Sequence, residues 1–85
     1  MAKSVFSNEY QVFLKLLRAA RLKAGLTQED LAPRLGMTQS AISKCERGER
    51  RLDVVELRQW CDALGTRLDR FVRELDAALG GRGLR

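Results

Sequence analysis

Apolar residues recur along this chain at intervals of three and four, almost nowhere in strict alternation. That spacing predicts amphipathic helices rather than half-buried strands. The first helix is expected from about Glu9 to Ala24, burying Phe13, Leu16, Leu17, Ala20 and Ala24. Asn8 with Gln11 offers a capping-box-like start, and Gly25 suits a terminating residue of positive φ. Thr27 with Asp30 opens a second, short helix that ends before Gly36. Thr38 caps a third, Gln39 to Arg47, stopped by Gly48. Asp53 with Glu56 opens a fourth ending at Leu64, and Thr66 with Asp69 opens a fifth from about Leu68 to Leu79. The connections are short and leave no stretch for a strand. The expected architecture is all-α: one five-helix domain over 1–85, its core within about 9–79, with 80–85 a flexible tail.

Within this frame Pro33 stands out. Inside the second helix it removes a backbone hydrogen bond and crowds the carbonyl of Glu29, so the helix is expected to be bent or partly 3₁₀. Val54, Leu57, Cys61 and Leu64 make one buried stripe, and Leu68, Phe71, Val72 and Leu75 another. Leu75, Ala78 and Leu79 carry the second stripe on past Phe71 and Val72. Ala78 and Leu79 either fray or, with Leu75, form a contact between subunits. Trp60 borders the first stripe and is assigned to the core rather than to such an interface.

The most informative segment is 28–47, a pair of helices around a tight turn. Ala32 supplies a small side chain where the helix axes approach, and Gly36 supplies a turn residue tolerant of left-handed φ. Leu31 and Leu35 face inward from the first helix of the pair, Ile42 and Cys45 from the second. Gln39, Ser40, Ser43, Lys44 and Arg47 are thereby directed outward, and the set holds no acid. Glutamine pairs with adenine, lysine with guanine, and serine with several base edges or a phosphate. The one carboxylate of this helix, Glu46, is placed on the opposite side, towards the first helix. With Ala41 at the third helical position, the positive helix end is left open to a phosphate or a base edge.

Composition narrows the function classes. The chain has 85 residues, a net charge of +5, no histidine and two cysteines. Residues 1–51 hold ten Lys/Arg against five Asp/Glu, while 52–85 hold six of each. The basic excess therefore lies with the segment expected to meet a polyanion. Cys45 and Cys61 cannot supply a four-ligand zinc site and are read as small buried apolar residues. No metal, no cofactor and no enzymatic activity are expected, because the chain offers no histidine, nucleophile elbow or phosphate loop. No run is long and apolar enough for a membrane span, and the first residues lack a secretory core, so the expected location is cytoplasmic.

The stretch RLKAGLTQEDLA followed by RLGMTQSAISKCERGERRL resembles the Xre-type domain of lambdoid phage repressors and many small bacterial regulators, over roughly residues 14–72. The resemblance implies a five-helix domain that binds double-stranded operator DNA as a two-fold homodimer, most simply as a repressor. It implies that Gln28 contacts a phosphate, that Thr38, Gln39, Ser40 and Lys44 contact bases and backbone, and that Arg50 and Arg51 touch phosphates from the following loop. It further implies an ion pair between Arg21 and Glu46. Pro33 and Cys45 depart from the family pattern, where an ordinary helix former and a larger side chain are usual. Two alternatives share this fold: an antitoxin, which a co-purifying small toxin would reveal, and a restriction–modification controller, which a neighbouring restriction gene would reveal. With no sensor segment in view, the protein is expected to respond to its own concentration.

Overall fold

Four of the five helix starts follow a side chain that accepts a first-turn N–H. The computed structural model describes residues 7–80, and over that span the helices are α1 (Asn8–Lys23), α2 (Gln28–Leu35), α3 (Gln39–Glu46), α4 (Val54–Leu64) and α5 (Leu68–Ala78), with no strand. The expected tail therefore lies, from residue 81 on, outside the described residues. Thr27 and Asp53 close full capping boxes with Asp30 and Glu56, each satisfying two backbone donors at once. The Asp30 carboxyl is held below its usual range chiefly by the Thr27 backbone N–H. Thr38 Oγ1 accepts from the Ala41 N–H at 3.1 Å.

Two starts differ from the expectation. Ser7, not Asn8 with Gln11, caps α1, its Oγ accepting from the Tyr10 N–H at 3.1 Å. In α5 the cap position falls on Arg67, which makes no side-chain cap bond. Thr66 is spent one residue earlier, its N–H donating to the Cys61 carbonyl in the turn that ends α4. Arg67 instead pairs across the first turn with Asp69, Nε to Oδ1, at 2.9 Å.

Pro33 leaves α2 unbroken. The helix stays α-helical from Gln28 to Leu35, without the expected 3₁₀ stretch. A proline in a helix interior costs ~3 kcal/mol. Fully burying Leu31 returns about 1.5–3 kcal/mol, and the ends of α2 are tied by the capping box and by Gly36 at φ 64°. Those gains hold the helix despite the missing hydrogen bond, and the exposed ring of Pro33 meets no crowding on its solvent side.

All five helices contribute to one core: Phe13, Leu14, Leu17, Leu31, Ala32, Ile42, Cys45, Leu57, Trp60, Cys61, Leu64 and Phe71. Phe13 of α1 meets Phe71 of α5 edge-on, ring centroids 5.9 Å apart, a favoured aromatic geometry. Trp60 is 1% exposed and so belongs to the core. Both cysteines are free and buried, and burial pushes both thiols up.

The buried face of α1 shares Phe13 and Leu17 with the expected one and differs elsewhere. Leu14 and Arg21 are buried, whereas Ala24 is exposed and Leu16 and Ala20 are half-buried. Leu14 is covered because the chain returns over it at Gly48, where a Cβ would lie 2.9 Å from Leu14 Cδ1. Gly48 also takes φ +82°, a conformation strained for any residue with a Cβ. Val54 and Val72, expected in the stripes of α4 and α5, are 65% and 43% exposed. Val72 sits one position round α5 from Phe71, which reaches the core, and Val54 is the first residue of α4, a turn before Leu57.

Candidate nucleic-acid interface

The helix pair α2–α3 is set by its inner side chains. Leu31 and Ala32 from α2 and Ile42 and Cys45 from α3 are all buried. Gly36 turns the chain between them, and the Met37 N–H closes the turn on the Ala32 carbonyl at 2.9 Å. Thr38, Gln39, Ser40 and Lys44 are consequently exposed together on one side of α3. The first turn of α3 contains no acid.

Ser43 departs from the outward set. It is half-buried, and its Oγ accepts a hydrogen bond from Arg47 Nη1. Arg47 is exposed but occupied, pairing with Glu49 through Nε at 2.8 Å. That bond holds the Glu49 carboxyl below its ordinary range and raises the Arg47 guanidinium. Arg50 Nη2 lies 3.0 Å from Glu56 Oε2, the same carboxylate whose Oε1 caps α4 through the Asp53 N–H. Arg51 lies over the Tyr10 ring, 4.1 Å from its centroid, a cation–π distance. Tyr10 Oη in turn accepts the Leu52 N–H at 3.3 Å. Lys44, by contrast, has no ion-pair partner among the described residues.

Behind the exposed face, Arg21 and Glu46 are joined at 2.7 Å with side chains only 9% and 4% exposed. Arg21 Nη1 also donates to the Leu26 carbonyl at 2.9 Å, so α1, the α1–α2 turn and α3 meet on one guanidinium. Gln28 Nε2 donates to Glu46 Oε1 at 3.0 Å, and Gln39 Nε2 donates to Gln28 Oε1 at 2.7 Å. Gln28 thus links the buried pair to the outward face, a role beyond the phosphate contact expected of it. Sequence reasoning had no access to this link, because the partners lie 18 and 11 residues apart. It also missed Tyr10, whose hydroxyl and ring hold the loop that carries Arg51 and Leu52.

Among the described residues no group of three acidic, histidine or cysteine side chains is placed to hold a metal. No described helix is long and apolar enough to cross a membrane. What the arrangement offers is a shallow, polar, acid-poor helix face with a rigid support, suited to hydrogen bonding with a polyanion's exposed edges.

Comparison with known proteins agrees with that chemistry. The Helix-turn-helix family model matches residues 17–71. The chain is similar to a solved structure described as an XRE-family like protein from Pseudomonas syringae pv. tomato str. DC3000. The two share 47% identity over 82% of this chain and 85% of that one, with a TM-score of 0.77. No curated protein matches. The match spans more than half of the chain and includes α2, the turn and α3, and it establishes that this protein belongs to the XRE-type helix-turn-helix family of DNA-binding transcription regulators.

Proposed function

We propose that the protein is a transcriptional repressor that reads a two-fold operator by laying α3 in the major groove, one helix from each protomer of a homodimer. The observation that carries this reading is the division of α3: Gln39, Ser40 and Lys44 exposed on one side, and its single acid, Glu46, turned inward onto Arg21. Gln39 and Lys44 read base edges, with Ser40 and Thr38 at the groove edge and Ser43 acting through Arg47. Gln28, Arg47, Arg50 and Arg51 meet phosphates. The ion pairs of Arg47 and Arg50 are on the surface, where such pairs contribute little, so phosphates can replace their carboxylates. Two copies are needed because one α3 spans too few base pairs to define a unique site. Two-fold symmetry places the recognition helices about 34 Å apart on one side of the duplex.

Selection of binding sites from random DNA by the purified protein tests this reading. The expected product is a two-fold symmetric site. Gln39→Ala and Lys44→Ala should each relax one position and cost ~1–3 kcal/mol on the selected site. Arg50→Ala with Arg51→Ala should instead weaken every sequence and flatten the log–log salt dependence by about 0.9 per lost phosphate contact. If Gln39→Ala and Lys44→Ala weaken all sequences equally, α3 is not the reading helix.

A further inference from the structure

A directed chain of hydrogen bonds runs from α1 to the exposed side of α3. Arg21 Nε and Nη2 donate to the two oxygens of Glu46 at 2.7 and 3.1 Å. Gln28 Nε2 donates to Glu46 at 3.0 Å, and Gln39 Nε2 donates to Gln28 Oε1 at 2.7 Å. The two ends of a carboxamide are nearly alike in shape, so their orientation must be argued from partners. Here the partners leave one choice. A guanidinium only donates and a carboxylate only accepts. Glu46 therefore takes the nitrogen end of Gln28, which turns the Gln28 oxygen towards Gln39. Gln39 must answer with its own nitrogen. Its Oε1 and its second N–H, neither of them bonded among the described residues, are what remains for a ligand.

We infer that Glu46 is a specificity-determining positioning residue: its charge fixes the direction of the Gln28–Gln39 amide chain, so that Gln39 offers one acceptor beside one donor. This rests on the reading of Gln39 as a base-contacting residue. An acceptor beside a donor complements adenine, which presents N6–H and N7 in the major groove. Guanine presents two acceptors, O6 and N7, and calls for two donors. Glu46, 4% exposed, touches no base itself. It acts through Gln28.

The inference predicts that the direction is lost with the charge. In Glu46→Gln either orientation of the new amide sets its nitrogen against an Arg21 N–H, Nε in one and Nη2 in the other, so neither orientation is enforced. With that nitrogen towards Gln28, Gln28 must accept, its own nitrogen faces Gln39, and Gln39 presents both of its N–H groups outward. Adenine-over-guanine preference at the base pair read by Gln39 should fall by about tenfold.

Gln28→Met keeps the Arg21–Glu46 pair but cannot relay direction. It should bring the adenine and guanine affinities at that position close together, whatever its effect on overall affinity. It also carries the test alone if Glu46→Gln fails to fold. Competition binding on sites differing at that one base pair, with melting temperatures and the side-chain amide ¹⁵N signals of Gln28 and Gln39, reads both variants beside Gln39→Ala. The inference is overturned if Gln39→Ala relaxes the position while Gln28→Met, and Glu46→Gln where folded, keep the wild-type preference. If Gln39→Ala itself leaves the preference unchanged, the base-reading assignment fails and takes this inference with it.

Discussion

Arg21 and Glu46 bring opposite charges to a place where neither side chain is more than a tenth exposed. Such a pair stabilises little relative to an apolar pair of the same shape, but losing one member strands the other without compensation. The remaining bonds make the stranding worse here, because Arg21 also satisfies the Leu26 carbonyl. Arg21→Met keeps most of the volume of the stem and removes only the guanidinium. Urea denaturation should show a loss of about 3–5 kcal/mol, and a loss typical of a surface pair would show the site to be wetter than its geometry. The two residues lie 25 positions apart, and only their place in a known family pattern suggested the pair. Nothing in the order of residues indicated that Gln28 would join it.

At the scale of the element, capping decides where helices start and side-chain burial decides whether they survive. Thr27, Thr38 and Asp53 were legible as caps because each is a strong acceptor just before an apolar period. Thr66 has the same signature, yet the turn after α4 needs its N–H for the Cys61 carbonyl, and α5 starts a residue later without a cap bond. α2 shows the opposite balance, a helix kept despite its proline. Pro33→Ala restores the N–H that would meet the Glu29 carbonyl and relieves the ring's crowding of it. The expected gain is up to ~3 kcal/mol, reduced by the greater freedom of the unfolded chain once the ring is gone. A rise in melting temperature with unchanged helical circular dichroism is the outcome to look for. An unchanged or lower temperature would mean that Pro33 costs the fold nothing.

Over the whole molecule, the basic half of the chain carries α2, α3 and the loop after them, and the neutral half carries α4 and α5. The subunit contact proposed at Leu75, Ala78 and Leu79 would fall in the neutral half, where no net charge opposes self-association. Ala78 and Leu79 are exposed, but Leu75 is half-buried against the core. Changing Leu75 would therefore confuse folding with assembly. Ala78→Glu with Leu79→Glu should keep the helical content, shift sedimentation to the monomer and abolish cooperative operator binding. A variant that remains dimeric would move the contact elsewhere. Trp60 is no candidate, being buried within the protomer, whereas Val54 and Val55 at the start of α4 are 65% and 63% exposed.

The five helices, their approximate ends and the inner residues of the α2–α3 pair follow from the sequence alone. They depend on local rules: a period of three to four residues, an acceptor before most starts, a glycine where φ turns positive. The polar, acid-free side of α3 follows for the same reason, since burying Ile42 and Cys45 leaves Gln39, Ser40 and Lys44 nowhere to go but outward. Tertiary structure alone decided which neighbouring position reached the core, Arg21 rather than Ala20 in α1, Phe71 rather than Val72 in α5. It also decided that Arg47 and Arg50 rest on carboxylates and that Glu46, Gln28 and Gln39 form one directed chain. Helical periodicity specifies a face to within a residue or so, whereas a hydrogen bond between distant helices needs atoms placed to a fraction of an ångström. Only the packing of all five helices supplies that.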